Sequence, residues 1–194
     1  MRRLILLTWL TLITTLALAQ KTHSGAFFSV GLGPAWGSSN GYNNQNNSLS
    51  IVGTGVEVDL ELGGSLMPGL ILHGTITAKS VVGPTINGVN VSKDYTLSET
   101  MYGVGVTHYT AGNYFFSGNF GVGSFSFSDA KTTVSTDKGF SFLLKAGKEW
   151  WVSKKLGLGA AFTYGKTTLT NSQGTYTEKW NSNRFGVVFQ FTID

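Results

Sequence analysis

The chain ends in Arg184-Phe185-Gly186-Val187-Val188-Phe189-Gln190-Phe191-Thr192-Ile193-Asp194. Phe185, Val187, Phe189, Phe191 and Ile193 fall on one parity, and Arg184, Gly186, Val188, Gln190 and Thr192 on the other. Side chains of a strand point alternately to its two faces, so a period of two reads as a β-strand with one apolar face. Two architectures accept such a strand. A soluble sandwich or a lipocalin-type barrel turns the apolar face to a core and the polar face to water. An outer-membrane barrel inverts this, with apolar side chains toward lipid and polar ones inside.

Seven more stretches repeat the pattern upstream. They run about Ala26–Gly37, Leu49–Leu62, Gly69–Ser80, Leu97–Thr110, Asn113–Ser128, Gly139–Trp151 and Lys155–Thr168, with the eighth about Asn183–Ile193. The second is the cleanest: Val56, Val58, Leu60 and Leu62 oppose Gly53, Gly55, Glu57, Asp59 and Glu61. In the fifth the apolar parity switches at Phe125 and Phe127, which predicts a β-bulge. These strands are long. Membrane strands need about 9–11 residues, whereas soluble strands have a mode near 5–6. The connections at 63–68, 111–112 and 152–154 are short, and those at 38–48, 81–96, 129–138 and 169–182 are long and polar. Short turns at one end and longer loops at the other suit an even-stranded membrane barrel with both termini on the periplasmic side. The Asn-rich run at 40–48 reads as a solvated loop tip.

The start of the chain has a different character. Arg2 and Arg3, an apolar run from Leu4 to Leu16 and Ala17-Leu18-Ala19 form a secretory signal, with cleavage expected before Gln20. The run is short for a spanning helix, which takes about 20 residues. Residues 1–19 are therefore read as a removed signal peptide and 20–194 as one barrel domain. The formal charge of +4 includes Arg2 and Arg3, and no Lys/Arg stripe exists, so nucleic acid is excluded as a partner. The absence of cysteine rules out disulfides, thiolate metal sites and cysteine nucleophiles. After the signal no apolar run is long enough for a transmembrane helix, so a membrane-spanning form must be a closed barrel.

On this reading Glu57, Asp59, Glu61, Lys79, Lys145, Glu149, Arg184 and Gln190 all point inward. An eight-stranded barrel is only wide enough for side chains to fill, so these groups are expected to form a buried polar network that plugs the lumen. A narrow pore or carrier for small solutes or ions is the alternative. Trp36, Tyr114, Phe115, Trp150, Trp151 and Trp180 lie toward strand ends and are expected to form aromatic girdles at the headgroup level. His73 and His108 are expected near each other at the periplasmic end, on neighbouring strands, with no nucleophile within reach and no metal. The Gly-x-Gly pairs recur inside strands and precede no helix, so they are not phosphate loops. No catalytic residue, metal ligand or cofactor site is assigned.

The chain resembles the small eight-stranded outer-membrane proteins of Gram-negative bacteria, of the OmpX and OmpA-barrel type, over nearly all of residues 20–194. The resemblance implies an all-β, antiparallel, up-and-down transmembrane barrel in the bacterial outer membrane. It implies outer-membrane lipid and the barrel-assembly machinery as partners, and a possible extracellular ligand at the outer loops. Within it, Arg184, Gly186, Phe189 and Phe191 look like the signal read by that machinery, although the chain closes on Phe191-Thr-Ile-Asp194 rather than on an aromatic. The family includes adhesins, small porins and lipid-modifying hydrolases, so membership alone assigns no job. The hydrolases pair a histidine with a serine and an acid near the outer leaflet; no His-x-Ser occurs here, which makes a lipid hydrolase the weakest of the three functional readings. A structural or surface-interaction role through the outer loops is the first.

Overall fold

The computed structural model describes residues 23–45, 47–129, 131–173 and 176–193. The expected signal peptide and its cleavage point lie outside them. The elements in order are β1 (Ala26–Asn43), β2 (Ser48–Met67), β3 (Leu70–Val82), β4 (Thr85–Ile86), β5 (Val89–Asn90), β6 (Thr96–Tyr109), β7 (Tyr114–Ser128), β8 (Thr133–Ser135), β9 (Gly139–Trp151), β10 (Leu156–Gln173) and β11 (Tyr176–Ile193). Eight of them, β1, β2, β3, β6, β7, β9, β10 and β11, form the wall, each antiparallel to the next. β1 pairs with β11 as well as with β2, which closes the sheet on itself. Closure matters because a lipid-exposed edge would leave backbone groups without partners. At the closing seam the β1–β11 pairing skips Gly33 and Pro34, where proline offers no N–H.

The alternation in the sequence becomes the two faces of the wall. Leu32, Trp36, Leu60, Leu62, Val104, Phe116, Phe120, Leu144, Phe162 and Phe189 all stand exposed on the outer face. Phe162 is 72% and Phe189 67% exposed, values that water would not tolerate across so large a contiguous belt. The opposite parity is buried and mostly polar or small. Glycine has a steric role there. Gly103 and Gly121 are directly paired across β6 and β7. A Cβ on Gly103 would run into the Phe120 carbonyl oxygen, and one on Gly121 into that of Tyr102.

Three tight turns lie at one end of the barrel: Pro68-Gly69, 110–113 and 152–155. Gly69 (φ 78°) and Asn113 (φ 56°) take the left-handed conformation these turns require. The opposite end is uneven. β2, β1, β11 and β10 are neighbours and run 20, 18, 18 and 18 residues, against 13–15 for the rest of the wall. Eighteen residues span about 60 Å at ~3.3 Å per residue. One side of the barrel therefore stands above the other as a four-stranded wall. Its outward face changes from Phe185, Val187 and Phe189 to Asn183, Asn181 and Lys179 as it rises.

Three expectations need correction. The segments 38–48 and 169–182 are mostly strand: β1 continues to Asn43, β2 starts at Ser48, and β10 and β11 meet across Gln173–Tyr176. Ser, Thr and Asn in these segments mimic loop composition, but cross-strand pairing holds them in the sheet. No bulge occurs at Phe125, since β6 and β7 keep one register throughout. Phe125 is inward and buried because the lumen itself turns apolar there. The register does shift at Ser65/Met67, next to a tight turn.

Candidate functional site

Two places bring chemistry together: the lumen and its mouth at the tall end. In the lumen β2 contributes Glu57, Asp59 and Glu61, all buried. Facing them from β9, four strands away around the eight-stranded wall, is Lys145. Its Nζ lies 2.9 Å from Glu61 Oε1 and 3.6 Å from Asp59 Oδ2. A second strut crosses a different diameter. Arg184 of β11 sits 3.5 Å from Glu99 of β6, and the Ser182 hydroxyl donates to the same carboxylate oxygen at 3.0 Å. Glu57, Lys79 and Glu99 alternate in sign at directly paired positions on β2, β3 and β6. The pairs thus tie opposite sides of the barrel together rather than neighbours on one strand. Desolvated charges persist only when so compensated.

Each end of this charged layer is closed by apolar side chains. Toward the turn end Phe27, Ile71, Tyr109, Phe115, Ala161 and Val188 pack as one buried cluster. Below it the chain before β1 folds into the mouth. His23 is fully buried, lies 3.0 Å from Glu149 Oε1, and stacks on Tyr109 with centroids 3.8 Å apart. Backbone bonds from Ser65 to the Gly25 carbonyl and from Gly69 to the His23 carbonyl hold this segment against the first turn. Toward the tall end Ile51, Leu97, Phe125 and Leu169 form the second cluster, joined by Leu49, Ile86, Phe127 and Trp180.

His73 donates from Nε2 to Thr107 Oγ1 at 2.9 Å, because the Thr107 hydroxyl is itself committed to Ser117 Oγ at 2.8 Å. A histidine that donates to a hydroxyl is not placed to take its proton, so this chain of groups lacks the order of a nucleophile and its base. His108 faces the opposite way, exposed on the outer surface, so the two histidines are not near neighbours: adjacent-strand positions of different parity lie on different faces. Among the described residues no group of three His, Cys, Asp or Glu side chains is disposed to hold a metal ion.

The geometry of the wall is shared with solved structures. The chain is similar to Neisserial surface protein A, NspA, with a TM-score of 0.58 and 11% identity over 87% of this chain and 98% of that one. It is also similar to the outer membrane protein OprG of Pseudomonas aeruginosa, with a TM-score of 0.50 and 12% identity over 90% and 98%. The fold is that of the eight-stranded β-barrels of the bacterial outer membrane. No protein-family model and no curated protein matches the sequence.

In this barrel Glu57, Asp59, Glu61, Lys79, Lys145, Glu149, Arg184 and Gln190 are each at least nine-tenths buried. Gln190 reaches Tyr109 Oη and Glu149 Oε2 at 3.4 and 3.5 Å. Of the last-strand residues, Phe189 and Phe191 face lipid, and Arg184 and Gly186 face the lumen. The aromatics divide. Trp36, Tyr114 and Trp150 are exposed on the outer face, and Tyr114 and Trp150 flank Lys148, whose Nζ lies 4.5 Å above the tyrosine ring. Trp151, Trp180 and Phe115 instead turn inward. Trp151 lies against His23, Phe115 joins the turn-end cluster and Trp180 the tall-end one. Parity carries the signal for this: each sits one residue from an outward neighbour, so an adjacent Trp150-Trp151 pair cannot share a face. Glu99 was legible in the same way, at an inward position on β6 opposite Lys79. His23 had no such signal, because it precedes the first strand.

Proposed function

We propose that the mature chain is an integral outer-membrane barrel whose interior is structural and whose tall four-stranded wall is a surface-interaction element outside the cell. The observation that carries this reading is the asymmetry of the barrel. Charged struts and two apolar clusters fill the lumen, while chain length is spent on one side of one end. The turn end faces the periplasm on this reading, as the tight connections of such barrels do. Exposed Tyr42 and Asn47 and half-buried Asn43, beside Glu178 and Trp180, give the wall the amphipathic and amide groups that suit recognition of polar partners. The last strand, with Phe189 and Phe191 outward, fits engagement by the assembly machinery.

Two measurements test it. Purified barrel reconstituted in a planar bilayer is expected to give no stepwise conductance; steps that change with Glu57→Gln or Arg184→Gln would establish a narrow pore instead. Replacement of residues 41–49 by an Asn-Gly turn is expected to leave a membrane-inserted, heat-modifiable barrel, because the wall stands above the apolar belt. A trimmed chain that no longer inserts would assign the wall to folding and remove the surface reading.

A further inference from the structure

The lumen mouth at the tall end is built unlike the rest of the interior. Across the charged middle of the lumen most inward positions are glycine, hydroxyl or charged residues, but here Ile51 of β2, Leu97 of β6 and Phe125 of β7 pack in one buried cluster. Sealing the lumen requires no more than that layer. Further apolar residues stand above it, from segments outside the regular wall: Ile86 from β4 and Val134 from β8, with Trp180 from the raised part of β11. Together they enclose a pocket of about 260 Å³.

The pocket is preformed. The strap carrying Val134 is held to β7 by the Thr136 N–H on the Phe125 carbonyl (2.9 Å) and by the Phe125 N–H on Thr136 Oγ1 (3.0 Å). At its far side the Asp137 N–H donates to Asn171 Oδ1 at 2.9 Å and the Ser172 N–H to Asp137 Oδ2 at 3.0 Å. β4 is paired to β2 at Ile51 and Val52. One charged group looks into this apolar space. Glu178 Oε2 accepts the Trp180 indole N–H at 3.0 Å, while Oε1 carries no hydrogen bond among the described residues.

We propose that this mouth is a binding site for a small, mostly apolar one- or two-ring molecule bearing one hydrogen-bond donor, such as a phenolic or amino group. The donor faces Glu178 Oε1 and the rings lie against the surface that Phe127 and the packed Phe125–Trp180 pair present to the pocket. Size supports the class: a dry cavity of about 150 Å³ already admits benzene, so this pocket has room for a second ring. Ser135, Thr136 and Asn171 also line the pocket, but Thr136 Oγ1 and Asn171 Oδ1 are taken up in holding the strap, and a mostly apolar pocket with a few placed polar groups is the common form of small-molecule sites. The site ends at Leu97 and Ile51, beneath which lie Lys79 and Glu99, so the molecule is held rather than passed on. This goes beyond the surface role and does not depend on the wall having a macromolecular partner.

The isoleucines allow a direct test. Beyond the signal there are five: Ile51 and Ile86 at the pocket, Ile71 in the turn-end cluster, and Ile76 and Ile193 toward lipid. Methyl-labelled isoleucine spectra of the barrel in lipid nanodiscs are recorded with 1-naphthol and, separately, with naphthalene. Saturable shifts confined to Ile51 and Ile86 are expected. Val134→Trp, at an exposed strap position, fills the pocket and is expected to abolish them. Glu178→Leu is expected to weaken 1-naphthol by about tenfold, the worth of one hydrogen bond to a charged group, and to leave naphthalene unchanged. Shifts that grow linearly and appear equally at Ile76 and Ile193, or no saturable shift at Ile51 and Ile86, would overturn the proposal. If Val134→Trp does not insert, the contrast between the two probes in Glu178→Leu decides alone: equal loss of both leaves no oriented site.

Discussion

Lys145→Met removes one charge from the middle of the barrel and keeps the length of the side chain. Lys145 Nζ lies 2.9 Å from Glu61 and 3.6 Å from Asp59, and its side chain is 1% exposed. At an effective dielectric of about 20 those separations are worth roughly 6 and 5 kcal/mol of attraction. Most of that offsets the cost of burying the ions. The measurable effect is the penalty of leaving two carboxylates facing each other without their cation, about 3–5 kcal/mol. The assay is urea unfolding from lipid vesicles, followed by tryptophan fluorescence. Lys148→Met on the outer face is the control and is expected to cost less than ~1 kcal/mol. Adding Glu61→Gln to Lys145→Met is expected to recover part of the loss, because one of the stranded carboxylates is then neutral. If Lys145→Met and Lys148→Met lose the same small amount, the lumen behaves as a wet, high-dielectric space and the strut argument fails.

Further outcomes follow from the same structure. Phe189→Lys puts a cation on the lipid face and is expected to cost about 2–4 kcal/mol in vesicle unfolding if the position lies near the bilayer midplane; an unchanged midpoint would place Phe189 in water. Gly103→Val drives a side chain into the β7 backbone and is expected to abolish the compact unboiled band on a denaturing gel, while Gly88→Val, with open space around its Cβ, retains it despite some strain at φ 83°. His23→Ala leaves Glu149 short of its 3.0 Å partner and is expected to cost roughly 1–3 kcal/mol without preventing insertion. At the tall end Asp129 accepts the Lys131 and Thr132 N–H groups at 2.8 and 2.7 Å, which holds its carboxyl below the ordinary value of 3.8. The turn is therefore intact above pH 3.8 and loosens as pH falls through the lower folded value, so faster amide exchange at Lys131 and Thr132 is expected only in that acid range.

The wall was legible in the sequence because a period of two survives wherever one face is uniformly apolar. Phe185 to Ile193 and Val56 to Leu62 leave no other reading of parity, and parity then places Glu57, Lys145 and Arg184 inside. The same rule misled where the lumen is itself apolar. Phe125 breaks the pattern without breaking the register, so chemistry at the mouth imitates a bulge. Residues 38–48 and 169–182 carry loop composition because the outward face of a strand above the membrane meets water, which removes the apolar half of the period although Ser39, Leu169 and Ser182 stay buried on the inward face. Pairing across the lumen was beyond the sequence. Lys145 and Glu61 are 84 residues apart, and only the closed strand order puts β9 opposite β2.

The inside-out arrangement is the claim on which the rest depends, and the lack of cysteine makes it directly measurable. Spin labels on single cysteines introduced one at a time from 156 to 164 along β10 report the collision rate with oxygen, which concentrates in lipid, and with a water-soluble nickel complex. The account predicts high oxygen access at 158, 160, 162 and 164 and low access to both reagents at the lumen-facing positions between them. Nickel access at the Phe162 face equal to that of the exposed tall-end position Thr170 would place the apolar belt in water and contradict it.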